Sequence, residues 1–290
     1  MQANAVTGSF GLRTDSRLTA WLIAPALVWT GLFCALPLLI VLLISFASRG
    51  AYGGVEWTFT LANYRDLADP LYLYIYARSF VLALATTVLC LVLGFPLAYY
   101  IARAPARWQG LWLTLVLVPF WTNFLVRTFA WMNVLRADGL LNSLLTGAGL
   151  TSGPLAILYT DTAVLIGLVY GYLPFMVLPL YAAIERLDQS LIEAARDLYA
   201  SGWAVLTRVI MPLTKPGIVA GCLLVFIPSL GAYITPDLLG GARSMMIGNF
   251  IQHEYLMVRD WPLGSAASFV LMAMVLAGLW RYQETGGARP

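Results

Sequence analysis

The sequence predicts an all-α, polytopic membrane protein with about six transmembrane helices, and three observations carry that expectation. Of 290 residues, 60% are hydrophobic and 11% charged, against about 25% charged in an ordinary soluble domain. Uncharged windows fall at 18–48, 79–102, 108–126, 162–184, 216–236 and 261–280, each able to supply the roughly 20 residues that a helix needs to cross the hydrocarbon core. Lysine and arginine favour alternate connecting segments, in the sense of the positive-inside rule.

Allowing for helix ends, the spans are expected at about 18–48, 78–102, 109–133, 162–185, 216–236 and 262–282, within a single domain covering 1–290. The first window is too long for the apolar part of a signal peptide, lacks a clear small-residue cleavage site and is followed by further windows, so it is expected to stay in the mature protein. The segment 49–76 has a turn at Asp69-Pro70 and tyrosines suited to a short interfacial helix. A seventh uncharged window, 139–160, is rejected because Gly139, Gly147, Gly149, Gly153 and Pro154 interrupt it.

An even number of spans leaves both termini on one side. The N-terminus, 103–109, 185–215 and the C-terminus hold ten Lys and Arg, against six in the opposite segments. The opposite segments carry eight carboxylates, among them Asp66, Asp69, Asp138, Asp161, Asp237 and Asp260. Both termini are therefore expected in the cytoplasm, with a net negative outer face.

The same composition narrows the chemistry. Cys34, Cys90 and Cys222 lie in apolar stretches without metal-ligand spacing, His253 is the only histidine and Lys215 the only lysine. No metal site, catalytic residue or nucleic-acid partner is expected, and membrane lipid is the obligatory neighbour. A secondary transporter would show more spans or inverted repeats with membrane-buried acids, and an intramembrane enzyme would need a nucleophile and base at depth. A scaffold or channel subunit would lack an ATPase partner.

The connection between spans four and five is long, whereas 103–109 is short. Within it, Ser190-Leu191-Ile192-Glu193 has the form of a capping box, so a helix is expected from about Leu191 to a stop near Ser201-Gly202. A second short helix would run from Trp203 to about Met211 and end at Pro212. Leu191, Ile192, Leu198, Tyr199, Leu206 and Ile210 exceed what the membrane end of a bundle covers, which implies a soluble partner. A capped helix lying on the membrane surface is the alternative. Ala194 and Ala195 would allow close approach, with Glu193, Arg196, Asp197 and Arg208 as rim charges.

The stretch EAARDLYASGWAVLTRVIMPLTKPGI resembles the signature coupling loop of bacterial ABC importer permeases. That family's pattern is Glu-Ala-Ala, three residues, Gly, nine residues, Ile, one residue, Leu-Pro. Here Glu193, Ala194, Ala195 and Pro212 match, Val209 and Met211 are conservative replacements, and Tyr199 stands at the glycine position. Tyr199 would either shift the turn to Gly202 or fill a hollow in the ATPase. The resemblance implies a type I ABC importer permease fold with a cytoplasmic coupling-helix loop at 186–215, in a bacterial cytoplasmic (inner) membrane. FTLANYRDLADPLY, VPFWTNFLVRTFAW, GLVYGYLPFMVLPLYAAIERLD, PDLLGGARSMMIGNFIQ and VRDWPLGSAAS are similar in particular to spermidine/putrescine permeases. Related permeases serve opine-like compounds, amino-acid derivatives, ferric iron or sulfate, and these remain alternatives. The family further implies a second permease subunit, a homodimeric ATP-binding subunit and a periplasmic or extracellular solute-binding protein. With no GxxxxGK[ST] loop here, ATP and Mg belong to the partner ATPase, and the chain itself is expected not to be an enzyme.

Pro119, Pro174 and Pro228 fall about 9 to 13 residues into spans three, four and five, near the bilayer midplane. Either these kinks surround a translocation path or they are ordinary kinks in packed helices. Close to them lie Trp121, Thr122, Asn123, Tyr170, Tyr172 and Tyr233, which would offer a polyamine cation-π faces and acceptors, or serve as interfacial anchors. Asp237 is expected at the outer mouth, as an attractor of cations or an ordinary loop residue. Arg127, inside span three, is expected to pair with Asp161 or to snorkel to the outer water.

Overall fold

The computed structural model describes residues 16–241 and 244–283. Helix α1 (Ser16–Ser45) leads into a two-stranded hairpin of β1 (Ser48–Arg49) and β2 (Val55–Glu56), then a short α2 (Ala62–Asp66). Next come α3 (Pro70–Arg103), α4 (Ala106–Trp121), α5 (Phe124–Leu135) and α6 (Leu140–Gly147). They are followed by α7 (Asp161–Glu185), α8 (Gln189–Asp197), α9 (Gly202–Val205), α10 (Met211–Leu213) and α11 (Lys215–Leu230). The described chain closes with α12 (Ile247–His253) and α13 (Trp261–Tyr282). Four helices, the Ile23–Ser45 part of α1 with α3, α7 and α13, are long and apolar enough to cross a membrane, and six spans result if each of two bent helix pairs is one span.

Three of these spans begin by the same local device. The Asp69 carboxylate accepts from the Leu71 N–H at 2.9 Å with Pro70 as the first residue of α3. Thr160 does the same for Ala163 at 3.4 Å, and Asp260 for Leu263 at 3.0 Å. Each cap satisfies a helix donor that has no carbonyl partner, and proline in the first turn removes another such donor. Inside α3, the hydroxyls of Ser79, Thr86 and Thr87 donate to carbonyls four residues back at 2.7, 2.8 and 2.8 Å. Polar side chains thereby stay satisfied away from water.

The core is a triangle of α3, α7 and α11. Cys90, Ala98 and Ile101 of α3 meet Met176, Val177, Leu180 and Ile184 of α7 and Val225 of α11, all buried. Two glycines four residues apart on α11 allow that approach. A Cβ at Gly217 would stand 2.4 Å from the Ala183 Cβ and 2.8 Å from the Pro179 carbonyl, and one at Gly221 would stand 2.7 Å from the Met176 sulfur. Helix association in lipid depends on such close packing, because the surrounding acyl chains are as apolar as the side chains. At the periphery, α1 packs on α13, and within Ile23–Ser45 only Ser45 is buried.

Two expected spans differ. The window 109–133 is not one helix: α4 stops at Trp121 and the chain turns by 89° into the α5–α6 segment. Thr122 is extended, its hydroxyl donates to the Pro119 carbonyl at 2.7 Å, and the Asn123 side chain accepts from Leu125 N–H at 2.8 Å to open α5. Pro119 and an Asn cap thus end one helix and begin another. The window 216–236 is also shortened, since α11 ends at Leu230 and Pro236–Gly240 forms a separate π-turn. In 139–160 only α6 is helical, in keeping with its rejection as a span.

Gly221→Val should force Met176 aside and lower the stability of the detergent-purified protein by about 1–3 kcal/mol, the usual cost of overpacking. Thermal unfolding measures this, with Gly278→Ala as control because a Cβ there meets nothing within 4 Å.

Candidate functional site

The connection after α7 is a helix, a turn and a helix, but its boundaries follow different residues from those expected. The cap of α8 is Asp188, whose carboxylate accepts from the Ser190 N–H at 2.9 Å, so α8 starts at Gln189 rather than Leu191. That bond, joined by the Ser190 hydroxyl, holds the Asp188 carboxyl below the usual carboxylate range. At the other end, Tyr199 N–H donates to the Arg196 carbonyl at 2.9 Å and Ala200 N–H to the Ala195 carbonyl at 3.1 Å. This is a Schellman closure, with Tyr199 in the left-handed position at φ 58°.

A glycine at that place would avoid the steric penalty of a left-handed tyrosine. Tyr199 therefore does not shift the turn to Gly202. Gly202 instead opens α9, capped by the Ser201 hydroxyl that accepts from Ala204 N–H at 3.3 Å. A π-turn at Leu206–Ile210 and the short α10, which contains Pro212, then lead to a 72° bend into α11.

Buried Ile192 of α8 meets Val205 and Ile210, and this cluster seats on Phe95 and Tyr99 of α3. The opposite surface is open. Glu193, Ala194, Arg196 and Asp197 are exposed and Ala195 is half-buried. At the tip, Leu198, Tyr199 and Trp203 are 82%, 98% and 73% exposed. Three large apolar groups at a charged rim form a surface suited to a soluble partner.

The residues nominated for the membrane path separate into groups. Trp121, Thr122 and Asn123 sit at the α4–α5 break; Trp121 is 76% exposed, while Thr122 and Asn123 use polar atoms locally. Tyr170 packs edge-on against Trp131 of α5 at 5.4 Å. Tyr172 donates to the Pro228 carbonyl at 3.1 Å and so ties α7 to the last turn of α11. Phe120 meets Phe175 at 5.1 Å, which brings the end of α4 to the same stretch of α7. Tyr233 is 46% exposed just after α11, and Asp237 is exposed on the π-turn that packs against α7. Among the described residues no hydrogen bond or ring contact joins the Trp121–Asn123 group to the tyrosines.

The expected Arg127–Asp161 pair does not form. Arg127 lies over Phe120 at 4.9 Å and Phe124 at 5.6 Å. Asp161 is instead bonded by Arg78 and by the Ser244 hydroxyl, which donates at 2.7 Å. Sequence reasoning missed this pair. Its signal lies in the charge pattern, since Arg78 and Asp161 are the charges that directly precede the windows 79–102 and 162–184.

The family model for the binding-protein-dependent transport system inner membrane component matches residues 94–280. The chain is 45% identical over 273 residues to the spermidine/putrescine transport system permease protein PotB of Salmonella typhimurium (strain SL1344), covering 93% of this chain and 95% of that protein. It is 46% identical over 256 residues to the protein of the same name from Escherichia coli (strain K12), covering 87% and 93%. It is 32% identical to the inner membrane ABC transporter permease protein YdcU of that strain, covering 95% and 91%. Among solved structures, a bacterial ABC transporter that imports the acidic polysaccharide alginate matches with TM-score 0.67 and 18% identity, over 93% of this chain and 96% of that one. A second alginate transporter structure, in complex with an alginate pentasaccharide-bound periplasmic protein, gives 0.68 and 17% over 93% and 95%.

Two outcomes test the loop geometry. Tyr199→Gly should raise the thermal stability of the purified protein by about 1 kcal/mol through relief of the left-handed tyrosine. The Asp188 cap contributes stability above the ordinary carboxylate pKa of about 4 and loses it as pH falls through its lower folded value. The protection factors of the α8 amides, which correct for the pH dependence of intrinsic exchange, should accordingly fall on acidification, and Asp188→Ala should remove that fall.

Proposed function

Because this chain belongs to the binding-protein-dependent transport system inner membrane components, with the fold of ABC importer permeases, we propose that it carries polyamines such as spermidine and putrescine across the bacterial inner membrane by alternating access. The observation that carries the coupling half of this reading is the seat of Ile192, Val205 and Ile210 on α3 beneath an exposed tip of Leu198, Tyr199 and Trp203. A partner gripping that tip acts directly on a spanning helix. The polyamine half rests on 45% identity, over nearly the whole chain, to permeases named for those solutes.

In this reading Glu193, Ala194, Ala195, Arg196, Asp197, Tyr199, Gly202 and Pro212 form the ATPase-coupling loop, with Tyr199 entering a hollow of the partner. A homodimeric ATP-binding subunit binds ATP and Mg and performs the hydrolysis. A second permease subunit completes the path, and a periplasmic or extracellular solute-binding protein delivers the ligand. The single domain 1–290 would hold both termini in the cytoplasm, as the arginine distribution suggests.

Trp121, Tyr170, Tyr172, Tyr233 and Asp237 are the proposed contacts for the cation. Thr122 and Asn123 contribute by breaking the third span, which leaves peptide groups open where a cavity needs them. Tyr172, its proton committed to Pro228, would present its ring face and remaining lone pairs.

Reconstitution with the second permease, the ATPase and the binding protein tests this reading. Spermidine or putrescine should stimulate ATP hydrolysis and uptake, and Glu193→Ala should cut coupled hydrolysis about tenfold. Stimulation by a different solute alone would remove the polyamine assignment and keep the importer. Full coupling in Glu193→Ala would remove the assigned role of the loop carboxylate. Asp237→Ala should slow uptake most at low ionic strength, where attraction of a cation is least screened.

A further inference from the structure

We propose that the hairpin joining α3 to α4 binds the phosphate headgroup of an anionic phospholipid in a pocket lined by Tyr100, Arg103, Trp108 and Trp112, with Arg107 beside it. Only Ala104 and Pro105 separate the two helices. The turn lies at the end of α3 that supports the coupling loop through Phe95 and Tyr99. No residue of α4 is buried within this chain, and the pocket lies at the start of that exposed, largely apolar surface.

Arg103 is the residue that calls for a ligand. Its guanidinium lies over the Tyr99 ring at 5.5 Å, yet its Nε and one terminal nitrogen are shielded from solvent without an acceptor. The neighbouring carbonyls are already occupied: Gln109 Nε2 donates to Ala102 at 3.2 Å and to Ala104 at 3.1 Å. Among the described residues, no carboxylate lies within 4 Å of Arg103. Arg103 also lines the pocket wall, and a guanidinium without a carboxylate partner favours a phosphate, which accepts charge-assisted hydrogen bonds from arginine.

The remaining features add to that charge. Arg107 projects from the first turn of α4 over the Trp108 ring at 5.9 Å. Pro105 supplies no side-chain cap, so the first N–H groups of α4 also favour negative charge. The frame is aromatic: Trp108 is 46% and Tyr100 57% exposed, and Tyr100 meets Trp112 edge-on at 5.7 Å. Exposed Leu111 and Leu115 continue the surface along α4. A free anion would use only the arginines, whereas a lipid uses the aromatic frame and the apolar surface as well.

The test is native mass spectrometry of the assembled transporter, released from nanodiscs containing either phosphatidylglycerol or phosphatidylcholine. The wild type should retain phosphatidylglycerol in preference to phosphatidylcholine. Arg103→Gln should retain it about fivefold less, the scale of one basic side chain at an anionic surface. Arg103→Lys should fall between them, and Arg107→Gln, at an exposed position, should shift retention in the same direction if Arg103→Gln fails to assemble. Millimolar inorganic phosphate should leave the lipid in place. Equal retention of both lipids, or retention unchanged in the assembled glutamine variants, would overturn the proposal. Displacement by inorganic phosphate would do so too, by revealing a free-anion site.

Discussion

The arrangement depends on how closely α11 can approach α7. In lipid there is little hydrophobic gain in joining two apolar helices, so contact must come from the fit of their surfaces. Gly217 and Gly221 remove the side chains that would otherwise meet Pro179, Ala183 and Met176. Once α11 is seated there, Val225 reaches the cluster shared with α3, and the Pro228 carbonyl comes within reach of the Tyr172 hydroxyl. The connection from α7 to α11 is then held over the C-terminal half of α3, where α8 docks.

Much of this was legible because membrane helices leave coarse marks in sequence. Charge-free windows located α1, α3, α7 and α13, and Asp260, just outside the last of them, proved to be a helix cap. The break within the third window was not foreseen because absence of charge cannot reveal a break made by neutral residues. The Thr122 hydroxyl proton and the Asn123 side-chain oxygen both serve to turn the chain there. Periodicity was no guide there, since both sides of the break are equally apolar.

The loop between α7 and α11 shows a second limit. Asp188 and Ser190 are both good capping residues two positions apart, and composition does not choose between them; the bond from Ser190 N–H to Asp188 does. The glycine position of the family pattern was readable, but its reason was not. The left-handed φ of Tyr199 supplies it: the helix needs a residue in that conformation to close its last turn. Arg78 and Asp161 are 83 residues apart in sequence, and only the packing of α3 on α7 selects that partner over Arg127.

The seating of α8 on α3 also has a mechanical meaning. A rigid α8 tethered only by its two flanking connections would swing with little resistance, and much of any applied displacement would be absorbed as rotation of the loop. Ile192, Val205 and Ile210 clamp it to α3, so the stiff route for force runs sideways into a helix that is remote from the loop in sequence. The exit is more compliant, because a π-turn and a 72° bend precede α11. If a partner grips the tip as proposed, α3 would take the direct load and α11 would follow through the bent joint.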